Sequence, residues 1–212
     1  CHYYLLIQLK LSSFPGNLSG MHQIHITFEK IIMTNKNDIE IPKINFGKDG
    51  ELIITASPTS SKHDFDFYEG KWKLRNKKLK ARLDNCTEWT TFESTQEMYR
   101  VLNGLGNIDN YLATYNDEPF EGMSIRLFNP KTKLWSIYWA DSNEGVLQPP
   151  VIGSFENDIA HFFTKDKFNG KDILVVFRWD TRDKENPIWS QAFSDDNGKA
   201  WEWNWYMYFS KF

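Results

Sequence analysis

The sequence predicts an all-β protein: an antiparallel up-and-down barrel of about eight to ten strands, preceded by an irregular extension. Three observations carry this reading. Aromatic residues fill 16% of the 212 positions, and all nine tryptophans lie between Trp72 and Trp205. From Asp64 onward, apolar runs alternate with turn residues at roughly the 8–12-residue spacing of antiparallel folds. The chain then closes on two apolar stretches joined by Asp196-Asn197-Gly198, residues that tolerate the positive φ of a tight hairpin turn. On the last stretch Trp201, Trp203, Trp205, Met207 and Phe209 share one parity. Glu202, Asn204, Tyr206, Tyr208 and Ser210 share the other, so period two separates an apolar face from an amphipathic one. A helix would scatter the indoles around its circumference.

Residues 1–63 read as an N-terminal extension and 64–212 as the barrel domain. The chain begins at Cys1 with no basic segment ahead of a proper apolar core, and Met21 and Met33 follow. Residues before Met33 are expected to be translated upstream sequence or a truncated leader. A lipidated Cys1 is the alternative, without a lipobox to support it. Within the extension, 51–56 suggests an isolated strand and 57–63 a linker rich in Ser, Thr and Pro.

Ten strands are expected beyond it: 65–75, 87–100, 111–115, 122–128, 134–140, 151–155, 160–164, 173–180, 188–194 and 201–209. Turns fall at 129–132, 156–158, 168–170 and 196–198, each using Asn, Asp, Gly or Pro for its backbone preference. Only 77–83 suggests a helix. Ten antiparallel strands left open would expose edges that recruit other chains, and closure removes those edges. Consecutive hairpins need no long crossover, which favours the barrel over a sandwich.

Composition narrows function. A net charge of −3 supplies no global field for nucleic acid, so no nucleic-acid partner is expected. The basic run 71–82 reads as a solvated strand and turn, with contact to an acidic partner as the alternative. No stretch of about 18 apolar residues is present, so no membrane partner is expected either. Two cysteines, Cys1 and Cys86, allow one disulfide at most, and a cytoplasmic location is expected.

Gly70-Lys71-Trp72, a Gly-x-Trp opening the first barrel strand, resembles the lipocalin and wider calycin signature. Further segments strengthen the likeness: 104–107 (GLGN), 125–130 (IRLFNP), 135–141 (WSIYWAD), 149–155 (PPVIGSF) and 189–205 (WSQAFSDDNGKAWEWNW). Together, over about 64–212, they are similar to an uncharacterised bacterial calycin-like, lipocalin-like barrel family. The resemblance implies a barrel with a central cavity and lends no reaction.

Several residues are candidates for that cavity, each with a structural alternative. Gln191 shares parity with Trp189 and Phe193, so it would face inward as a ligand-orienting amide, or bond a neighbouring backbone group. Arg126 lies mid-strand and would anchor a carboxylate or phosphate if inward, pair with a surface acid if outward, or pack over Trp72 as arginines often do in lipocalin-like barrels. Asn107 follows two glycines that would let a ligand approach backbone at the barrel mouth, although turn chemistry also explains them. Trp139, on the parity of Trp135 and Ile137, belongs to the core or cavity wall. Asp141 would cap the loop after it. With Glu202 the only second acid worth naming, paired-acid catalysis finds little support. His161 is the one histidine expected on a strand, and a haem ligand is the exotic reading of it. No Cys/His cluster has zinc spacing, so neither a metal nor a cofactor is expected.

These residues lead to a binding module for a small, largely apolar or aromatic molecule. Trp72, Trp139, Trp203 and Trp205 would form walls or floor, with Gln191, Arg126 and Asn107 orienting the ligand. The alternatives are an isomerase, hydratase or hydrolase using the same cavity, and a filled barrel that forms a homodimer through an exposed aromatic face.

Overall fold

In this computed structural model the described residues are 40–115 and 117–212. The expectations for Cys1, Met21, Met33, His2, His22 and His25 fall outside them. A short pairing of β1 (Asn45–Phe46) with β2 (Leu52–Ile53) precedes the 3-10 turn Asp66–Tyr68. Ten strands follow: β3 (Gly70–Leu79), β4 (Trp89–Val101), β5 (Gly106–Tyr115), β6 (Glu118–Asn129), β7 (Leu134–Asp141), β8 (Val151–Glu156), β9 (Ile159–Phe168), β10 (Lys171–Asp180), β11 (Ile188–Ser194) and β12 (Glu202–Lys211). Each pairs antiparallel with its sequence neighbours, and β12 returns to β3. The sheet therefore closes as an up-and-down barrel without a free edge, as the hairpin spacing predicts.

Alternation sorts the side chains as expected. Along β3, Trp72, Leu74 and Asn76 are buried while Lys71, Lys73 and Arg75 are exposed. That strand overturns the helix expected at 77–83. Pairing with both β4 and β12 carries β3 to Leu79, and Leu83 and Asn85 then take positive φ of 53° and 51°. Lys, Arg and Leu have good helix propensity, but two flanking ladders outweigh that weak preference. The strand also begins later than position 65. Phe65 caps the 3-10 turn and Tyr68 ends it, and the turn drives both rings into the barrel's end.

The inner core is aromatic. Phe65 meets Trp135 and Phe155 edge-on at centroid distances of 5.0 and 5.1 Å, and Tyr68 lies 5.2 Å from Trp179. Offset and edge-on pairs of this kind add about 0.5–1.5 kcal/mol each beyond their area burial. Trp72, fully buried, donates its indole N–H to the Tyr68 carbonyl at 2.8 Å. The Gly-x-Trp tryptophan thus stitches the 3-10 turn to the first barrel strand. One end of the barrel is sealed this way.

A second apolar cluster lies on the outer face of β9, β10 and β11, at Phe163, Val176 and Ala192. Ile41, Ile44, Leu52 and Ile54 cover it. Residues Ile41–Phe212 accordingly form one compact unit. The described part of the extension is irregular apart from β1 and β2, and it packs on the barrel wall. Among the described residues no helix is long and apolar enough to cross a membrane.

Candidate ligand-binding cavity

The up-and-down order places the connections β3–β4, β7–β8 and β9–β10 at the end opposite the 3-10 turn. A cavity of about 250 Å³ opens between them, with Arg82, Gln148, Pro149 and Asp166 at its rim. Trp139, Phe177, Trp189 and Trp205 form much of its wall, and Trp179, Phe209 and Arg126 border it lower down. Gln96, Ser124 and Gln191 interrupt this apolar lining. The volume equals about eight waters at bulk density, enough for one bicyclic aromatic molecule.

Four of the seven expected site residues line this space: Arg126, Trp139, Gln191 and Trp205. Gln191 faces inward as its parity predicts, and its side-chain amide donates to Asn204 Oδ1 at 2.8 Å. Trp139 donates its indole N–H to Asp141 at 3.0 Å, while the other oxygen of Asp141 accepts from the backbone N–H of Asn143 and Glu144. Asp141 is therefore the loop cap expected of it. Behind Trp139, a Cβ on Gly122 would sit 2.1 Å from the indole, so only glycine leaves room for the ring in this position.

The other three lie elsewhere. Trp72 is buried in the sealed end. Asn107 belongs to β5, not to a loop at the mouth, and accepts from Arg126 Nη1 at 3.1 Å. Gly104, at φ 84°, makes the turn ahead of it, and Gly106 opens β5 where a Cβ would lie 2.9 Å from the Arg126 carbonyl oxygen, so turn and strand packing explain the glycines. Trp203 packs on the outer cluster with Trp201. The reason is a register shift between Gln191 and Ala192, opposite Trp205 and Trp203, which leaves Asn204 as the extra residue. A bulge breaks strict alternation, and here it reverses the face of every aromatic before Asn204.

Arg126 is 4% exposed and pairs with fully buried Asp109. Gln96 donates to Asp109 at 3.0 Å and accepts from the Tyr68 hydroxyl at 2.5 Å. The Arg126 guanidinium lies 5.2 Å from the Phe65 ring and 5.1 Å from Tyr68. The cation over Trp72 is instead Lys211, at 4.9 Å, so the arginine-over-tryptophan role is not Arg126's. Burial, with the Asp109 charge second, holds the Tyr68 hydroxyl well above its usual range, so it stays a neutral donor. A second polar group sits beside this chain. Asn76 donates to Ser94 at 2.7 Å and accepts from the Trp205 indole at 3.0 Å and the Tyr111 hydroxyl at 3.3 Å.

The sequence reading missed Asp109, Gln96, Tyr68, Asn76 and Asn204. Asp109 shares parity with Asn107 and Tyr111, a signal hidden because 104–107 reads as a glycine loop and the next strand is expected only from 111. Gln96 shares parity with Met98, and Asn76 with Trp72 and Leu74, a pattern visible in the sequence.

Near the rim, Lys78 lies 4.0 Å over Trp205, and burial followed by the nearby Arg82 charge pushes its amine down to about 8. His161 is on β9 as expected and lies outside the cavity lining, stacked 6.3 Å from Phe163. Glu202 accepts from the Leu83 backbone at 2.8 Å and meets no acid partner in the cavity. Among the described residues, no group of three or more His, Cys, Asp or Glu is placed to hold a metal ion. Compared with known proteins, no family model matches the chain, and no curated protein matches it significantly.

Proposed function

We propose that the barrel is a calycin-like binding module for one small, largely apolar or aromatic molecule. The observation that carries this reading is the cavity of about 250 Å³, walled by Trp139, Phe177, Trp189 and Trp205 and broken only by a few polar side chains. Apolar enclosure with sparse orienting groups is the usual make-up of a small-molecule site. Trp139, Trp205, Gln191 and Arg126 contact the ligand, and Trp72 and Asn107 brace the end beneath it. A bacterial, cytoplasmic setting belongs to the same proposal. Free Cys86 suits a reducing compartment.

Catalysis has weaker support. An arginine beside an acid is present, but the Asp109 oxygens are engaged by Arg126 and Gln96, so this carboxylate is not poised as a base. A filled, purely structural barrel conflicts with the open cavity. Native mass spectrometry of protein purified from several hosts tests the binding reading. A reproducible noncovalent adduct is expected. Bare protein from every host, with melting unchanged across a lipid and aromatic library, would contradict it.

A further inference from the structure

We infer that the cavity selects an uncharged ligand, a flat aromatic molecule carrying a carbonyl or comparable acceptor, and rejects the matching carboxylate. This inference rests on the binding reading and concerns the charge of the ligand.

The deciding feature is how Arg126 is used. An inward arginine in an apolar barrel suggests a carboxylate anchor. Here that charge is already matched, because Asp109 pairs with Arg126 Nη1 and Gln96 holds the second carboxylate oxygen. Both charged groups are buried, at 4% and 0% exposure. A ligand carboxylate would bring a second negative charge beside Asp109 in a site where water cannot screen it. Arg126 is nonetheless not saturated. Its Nε is buried without a hydrogen-bond partner, although the side chain borders the cavity. A buried donor left unmade is costly, and a neutral acceptor or a water satisfies it without adding charge. Gln191 supplies the opposite wall with a neutral amide, one N–H of which goes to Asn204 Oδ1. At the rim, Arg82 and Asp166 carry opposite signs, while Lys78 over Trp205 adds a cation there.

The test compares 2-naphthamide with 2-naphthoate, two ligands of nearly the same shape, one neutral and one anionic, by isothermal titration calorimetry at pH 7. The native chain is expected to bind the amide at least about tenfold tighter. Asp109→Asn keeps the side chain's shape and removes its charge, and the naphthoate is then expected to gain at least about tenfold, with the amide little changed. Equal or tighter naphthoate binding by the native chain would overturn the inference, whether or not the variant folds. So would naphthoate binding that Lys78→Met abolishes and Asp109→Asn leaves alone, since the anion would then sit at the rim. If neither probe binds but 2-methylnaphthalene does, the cavity reading stands and the polar selection falls. If none of the three binds to folded protein, both fall.

Discussion

At the residue scale, the strongest commitments are the buried groups that could have been apolar. Asp109→Ala leaves the Arg126 charge uncompensated in the interior, and breaking such a pair costs about 3–5 kcal/mol. Urea unfolding followed by circular dichroism measures this, and a loss below about 1 kcal/mol would mean water reaches the pair. His161 gives a second prediction. Burial, followed by the Arg178 charge opposite it, pushes its pKa down to about 4 from 6.5, so the fold favours neutral imidazole. That stability is fully present above pH 6.5 and is lost as pH falls toward 4, by roughly 2–3 kcal/mol. His161→Leu should unfold with a visibly smaller pH dependence between 7 and 4.5. Parallel losses in variant and native protein would refute it.

At the element scale, close approaches between strands and rings locate the next predictions. A Cβ on Gly153 would lie 1.9 Å from the His161 carbonyl oxygen on β9, a backbone atom that cannot swing aside. Gly153→Ala should therefore destabilise the barrel by about 3 kcal/mol, seen in the urea midpoint, and a neutral result would mean β8 slides. Gly122→Ala differs because its obstacle is the Trp139 side chain. The expected outcome is a folded protein with Trp139 pushed toward the cavity and ligand affinity reduced at least about fivefold. Unchanged affinity would show that the indole has somewhere else to go. These elements also show how far the sequence is readable. All ten barrel strands follow from period-two alternation and turn chemistry, because both are local. The ends of β3, the first half of β5 and the bulge in β12 do not follow. Glycines mask the start of β5, the other two depend on ladders with strands far away in the chain, and the bulge alone moves Trp203 from the cavity to the outer wall.

At the largest scale described, the unit Ile41–Phe212, closure of ten strands produces an aromatic cylinder plugged at one end by the 3-10 turn and hollow at the other. The plug was not legible in the sequence, since Phe65 and Tyr68 fit a strand as well as a turn. The hollow was implied only by resemblance, because cavity volume is what remains after every side chain is placed. The buried chain from Tyr68 through Gln96 and Asp109 to Arg126 draws on the 3-10 turn, β4, β5 and β6, which alternation in any one of them could not assemble. Whether that remaining space is a working site is best asked by filling it. Val175 borders the cavity, and Val175→Trp places an indole where a ligand would lie. Calorimetric titration with free indole should show one site on the native chain and none on the folded variant. Equal binding by both proteins would contradict a site inside the barrel.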